Sequence, residues 1–167
     1  MKSSGAGLIW LSLTLTGVYM ATRLKKRVAQ LTDIVSFLQA VCVEIEFSVS
    51  DLPFILKTLS EAQLCSHIFF LKKCVLSVES GIDFPAAWSK AISENTPLLT
   101  VDERDKLLSF GLSLGTTDIL GQRKLIKLFE GYFNSYLKNA EIRCEKFYRI
   151  YILLGTLAGF GMFILII

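Results

Sequence analysis

The sequence predicts an all-α membrane protein, with a cytoplasmic bundle of about six helices held between two terminal transmembrane helices. Three observations predict it. Gly5–Thr22 and Ile150–Ile167 are uncharged apolar stretches of about 18 residues, close to the shortest length that spans a bilayer. Each is flanked by basic residues on the side facing the middle of the chain: Arg23, Lys25, Lys26 and Arg27 after the first, and Arg143, Lys146 and Arg149 before the second. The middle itself carries apolar residues at steps of three and four and no alternating strand or hairpin pattern.

The first stretch reads as a retained anchor. Lys2 before an apolar run and Tyr19-Met20-Ala21 loosely resemble a signal peptide, but a basic cluster directly after the run resists translocation. The second stretch is too apolar, and lies too near the end of the sequence, to read as a buried core helix. Positive flanks stay in the cytoplasm, so residues 23–149 are expected there and both chain ends across the membrane. The expected division is 5–22 for one span, 23–149 for the cytoplasmic domain and 150–167 for the other. A mean hydropathy of +0.51 fits two spans in 167 residues.

The elements follow in order. Leu24, Val28, Leu31, Val35, Leu38, Cys42 and Ile45 lay one apolar stripe along a helix. No Gly or Pro occurs between Val18 and Leu52, so that helix is expected to continue from the membrane to about Ser48. Asp51 ahead of Pro53 resembles an N-cap with proline in the first turn, opening a short helix through Leu59. A helix over Leu64–Val78 should stop at Gly81, and Asp83-Phe84-Pro85 should start the next, carrying Trp88 to about Ile92. Thr100 and Glu103 have the spacing of a capping box, opening a helix to Leu114. Gly115 suits a left-handed C-cap position, and Thr117 or Asp118 can cap a long helix that returns to the membrane. Its stripe is Leu125, Phe129, Tyr132, Tyr136, Ala140, Cys144 and Phe147.

Charge and motifs exclude several function classes. The middle segment holds 17 of the 18 basic and all 15 acidic residues, a near balance that gives no nucleic-acid-binding face. The basic clusters lie instead where anionic headgroups would be. Cys65-x-His67 with Cys74 matches no familiar zinc spacing, and Cys42 and Cys144 lie on apolar stripes, so the thiols read as reduced packing residues and no metal or cofactor is expected. There is no nucleophile elbow, zincin helix or phosphate loop. Glu44 and Glu46, two apart on a helix, point in different directions. The chain is not expected to be an enzyme. Without ionisable groups inside the spans other than Tyr19 and Tyr151, it is not an ion carrier either. Gly17 with Ala21, and Gly155 with Gly159, have the small-x-x-x-small spacing that lets membrane helices approach, within one chain or in a homo-oligomer.

One block is more specific: Leu107-Leu108-Ser109-Phe110-Gly111-Leu112-Ser113-Leu114-Gly115-Thr116-Thr117-Asp118, continued by Gln122. With Glu44-Ile45-Glu46, the Pro53 turn, Phe84-Pro85-Ala86-Ala87-Trp88, Ala91 and the closing Gly155-x-x-x-Gly159 span, it makes the chain resemble the stage III sporulation protein AB family of endospore-forming bacteria over nearly its full length. The resemblance implies a cytoplasmic domain similar to that of the type II secretion platform protein. It also implies a place in the mother-cell membrane around the forespore, as a non-catalytic part of the mother cell–forespore channel complex. The implied partners are the other components of that complex and its secretion-type ATPase, stage III sporulation protein AA. A purely structural membrane scaffold without an ATPase partner shares the same sequence features. Phe110, Gly111, Gly115, Asp118 and Gln122 are the candidate partner contacts, with helix capping and close packing as their alternative roles.

Overall fold

Helices account for every regular element among the described residues. The computed structural model describes the backbone of residues 2–47, 52–62, 65 and 68–166, with side chains for 11–46, 54–62, 65, 68–158, 160 and 161. The order is α1 (Lys2–Phe47), α2 (Leu52–Glu61), α3 (Phe69–Glu79), α4 (Phe84–Asn95), α5 (Val101–Ser113) and α6 (Ile119–Ile166), and no strand occurs among the described residues. Asp51 and Leu64, read from the sequence as a cap and a helix start, and His67, whose spacing from Cys65 and Cys74 matches no familiar zinc site, lie outside them.

The chain divides into two compact units, residues 30–137 and residues 1–29 with 138–167. In the first, α2 packs on α3, α3 on α4 and α4 on α5. Their common core is aromatic. Trp88 of α4 is fully buried among Phe37 of α1, Phe70 of α3 and Phe110 of α5, with ring centroids at 6.1, 5.7 and 6.4 Å. Phe110 in turn meets Phe129 of α6 edge-on at 5.4 Å, an arrangement that aligns the positive ring edge with the negative face. Five helices therefore share one cluster. The indole N–H has left water, and it donates to the carbonyl of Leu107 at 3.0 Å, which removes the penalty of burying an unpaired donor. Gly111 lies one turn further along α5, directly against the ring. A Cβ there would overlap the indole.

Local chemistry sets the boundaries. Thr100 and Glu103 form the reciprocal capping box at the start of α5: the Glu103 N–H donates to the Thr100 hydroxyl at 3.3 Å, and the Thr100 N–H to the Glu103 carboxylate at 2.7 Å. After α3, Gly81 adopts φ +91°; its N–H donates to Val78 O and that of Ile82 to Ser77 O, the paired bonds of a Schellman stop. Two expectations shift. α3 begins at Phe69, several residues after Leu64, because Ile68 is extended (φ −78°, ψ 97°) with its side chain turned into the core. α4 runs to Asn95, past Ile92, because the Asn95 amide and the Thr96 hydroxyl close the last turn onto Ala91 O and Ile92 O at 2.8 and 2.7 Å.

α1 and α6 run antiparallel beside one another within this unit. Gln39 donates to Glu130 at 2.7 Å, and Glu46, further along α1, pairs with Arg123, further back along α6, at 2.9 Å. The pair is about 40% exposed, so it fixes register more than it adds stability.

The second unit is a helix pair. Gly17 of α1 faces Gly155 of α6 so closely that a Cβ on Gly17 would stand 2.6 Å from Tyr151 O and 3.0 Å from the Gly155 Cα. Ala21, one turn on, is fully buried. Lys25, a turn beyond that, places its ammonium 4.2 Å from the centre of the Tyr148 ring. Among the described residues, one helical segment, Leu11–Glu46 of α1, is long and apolar enough to cross a membrane.

Gly111→Ala is expected to cost about 1–3 kcal/mol by overpacking the indole. Gly131→Ala, on an open face of α6 where a Cβ meets nothing, should be neutral or stabilising because alanine is the better helix former. Denaturant unfolding of the two variants in detergent, side by side with the parent, checks this.

Candidate functional site

The segment from Phe110 to Gln122 joins α5 to α6, and the structure separates its residues into two sets. Phe110 and Gly111 face the aromatic core and contribute by packing; neither reaches the surface. Gly115, Asp118 and Gln122 form the turn itself. Gly115 has φ +79° with open space around it, the left-handed conformation that lets the chain reverse after α5. Leu114, just before it, is buried and anchors the turn, and its N–H bonds back to Phe110 O and Gly111 O. Asp118 is the N-cap of α6: its carboxylate accepts from the Gly121 N–H at 3.1 Å, satisfying one of the donors that a helix start leaves free. Gln122 reaches back to donate to Thr117 O at 2.9 Å. The cap and the back-bond hold the turn in one shape.

Two features of this turn were not singled out from the sequence. The first is Gly121, where a Cβ would lie 2.7 Å from the Asp118 carboxylate and 2.9 Å from Thr117, so a larger residue there would require the capping side chains to shift. The second is the apolar character of the outer surface. Leu112, Ile119 and Leu120 are 56, 61 and 67% exposed. All three flank the turn in the chain, Leu112 near the end of α5 and Ile119 and Leu120 at the start of α6. Ile119 and Leu120 immediately follow the quoted block, and only the turn geometry shows that they project outward.

Asp118 and Gln122 of the turn are thus engaged in capping and back-bonding. Elsewhere, local surroundings shift several ionisable side chains. Tyr136 of α6 donates to Asp102 in the first turn of α5, and that bond, helped by partial burial and by nearby acids, pushes its phenol up to about 12. Burial pushes the Cys74 thiol up to about 11 and also raises that of Cys65, which keeps both protonated and unreactive. Cys42 and Cys144 are half-buried, and the described residues include no group of three or more His, Cys, Asp or Glu that could hold a metal ion.

Gly17 and Gly155 meet within one chain, and Ala21 is buried in the same helix pair; Gly159 lies in α6 with its surroundings outside the described residues.

The described residues thus form an all-helical protein with one helical segment long and apolar enough to cross a membrane and a capped turn between α5 and α6. The model of the stage III sporulation protein AB family matches residues 2–167, and the chain belongs to that family. Among solved structures it is similar to a stage III sporulation protein AB at 23% identity and a TM-score of 0.55, over 71% of this chain and 95% of that one, a likeness of fold. No curated protein sequence matches it. Membership points to a role in the sporulation complex.

The Tyr136 and Cys74 shifts have a signed consequence. Both neutral forms are favoured by folding, so their contribution is complete below the ordinary values of 10.0 and 9.0 and is lost as pH rises through about 12 and about 11. Unfolding midpoints should therefore fall between about pH 9 and pH 12, and Tyr136→Phe should flatten the upper part of the fall. A denaturant series across that range, with the parent beside the variant, measures it.

Proposed function

We propose that this protein is a non-catalytic membrane platform of the mother cell–forespore channel complex, crossing the membrane twice with both ends outside the cytoplasm. On this reading residues 23–149 face the mother-cell cytoplasm, and the α5–α6 turn receives a cytoplasmic ATPase, for which stage III sporulation protein AA is the candidate. The observation that carries the reading is the stiff, apolar and solvent-exposed turn in a chain of this family. The antiparallel contact of Gly17 with Gly155 supports the hairpin, because it sets the two apolar stretches alongside each other with their basic flanks at the same end. α1 and α6 each supply residues to both compact units. With Gly17 and Gly155 engaged inside one chain, a homo-oligomer would form through other surfaces.

The test is capture of purified sporulation ATPase by the full chain in detergent, with and without nucleotide. A complex of defined mass by light scattering is expected, weakened at least tenfold by Leu120→Ser; no complex with a folded chain would leave the scaffold role. In sporulating cells, Asp118→Ala should weaken the cap by about 0.5–2 kcal/mol and block forespore development at normal protein level. Equal loss of protein and development would assign Asp118 to folding alone.

A further inference from the structure

The helix-pair unit holds a hollow that the platform role does not use. It is lined by Lys25 of α1 and by Cys144, Glu145, Tyr148 and Arg149 of α6. The α6 residues recur at i, i+1, i+4 and i+5, which puts them along one side of the helix toward Lys25. The volume is about 570 Å³, the size of a small polar group with part of its chain. Lys25 is held over the Tyr148 ring, so its ammonium is positioned instead of swinging freely, and Arg149 is exposed on the same wall.

The level of this hollow matters. Arg149 immediately precedes the apolar stretch that starts at Ile150, and Lys25 lies just past the one that ends at Thr22. Since Gly17 and Gly155 meet on the apolar side, the two cations and the aromatic ring sit together where apolar surface gives way to charge. Guanidinium and ammonium groups there match a phosphodiester: one offers a planar fork of donors, the other a point charge. Tyrosine is suited to the same level, with an apolar body and a polar tip. Glu145 on the rim opposes a bare anion, but it accepts hydrogen bonds from hydroxyls or an ammonium beyond the phosphate. A headgroup offers both, whereas inorganic phosphate offers only the part that Glu145 repels.

We infer that Lys25, Tyr148 and Arg149 form a binding site for the phosphodiester of an anionic phospholipid headgroup, with Glu145 facing the headgroup's polar arm. This rests on the membrane hairpin proposed above. The site would fix the depth of the helix pair in the bilayer and would make retention of the protein sensitive to lipid charge.

The experiment uses the full chain. Resistance of the wild-type protein to alkaline extraction from membranes tests the hairpin by itself. Native mass spectrometry in detergent then counts phosphatidylglycerol and phosphatidylcholine retained by the wild type, by Lys25→Gln/Arg149→Gln, and by Lys26→Gln/Arg143→Gln, which removes the same charge outside the hollow. The expected result is preferential retention of phosphatidylglycerol that falls about tenfold or more in the first double variant and under twofold in the second. Equal losses in the two variants, or equal retention of the two lipids by the wild type, would overturn the site. Displacement of phosphatidylglycerol by millimolar inorganic phosphate would overturn its assignment to lipid.

Discussion

The indole of Trp88 laid against Gly111 is the contact on which the rest of the helical domain depends. Tryptophan is large enough to touch Phe37, Phe70 and Phe110 at once, but it fits the centre of a small bundle only if one neighbouring helix surrenders its side chain. α5 does so at Gly111 and offers the Leu107 carbonyl to the indole N–H in the same turn. The hydrogen bond orients the ring, and the ring sets the separation of α4 and α5. Phe110, adjacent to Gly111, then points toward Phe37 and Phe129 and ties α1 and α6 to the same centre. Truncating such a buried aromatic residue costs about 3–5 kcal/mol, a large part of the stability of a domain this size.

This core also explains why the α5–α6 turn is stiff. Phe110 and Leu114 hold the end of α5 in the interior, Gly115 reverses the chain, and Asp118 closes over Gly121 to start α6. Leu112, Ile119 and Leu120 project from a frame whose own polar groups are already satisfied. The turn therefore has little conformational entropy left to lose on meeting a partner, which favours binding without an induced ordering step.

How far the sequence disclosed this differs from residue to residue. The capping box of Thr100 and Glu103, the left-handed Gly115 and the Asp118 cap are local, with partners within a few residues, and were legible as spacing. The helical class was legible for the same reason, since stripes at steps of three and four extend over many turns. The Trp88–Gly111 contact was not, because it joins positions on different helices, and a glycine inside a helix reads equally well as a fault or a fit. The crowding at Gly121 was hidden because it comes from side chains folding back over it. The start of α3 shifted because burial of Ile68 outweighed the local helical pattern. For the terminal stretches, charge asymmetry gave an expected topology, while the Gly17–Gly155 pairing needed coordinates to show which small residues meet.

The proposal rests on a hairpin topology in which the helical domain would lie in the cytoplasm between two antiparallel spans, and the most direct measurement is the sidedness of single cysteines in intact cells. In a chain with its four native cysteines replaced by serine or alanine, produced in non-sporulating cells so that the non-cytoplasmic face of the membrane meets the medium, one cysteine would be introduced at Ser3, Ser135 or Ile167 and probed with a membrane-impermeant maleimide. The account predicts labelling at Ser3→Cys and Ile167→Cys in intact cells, and at Ser135→Cys only after the membrane is opened. Labelling of Ser135→Cys in intact cells, or protection of either terminal position until lysis, would contradict it.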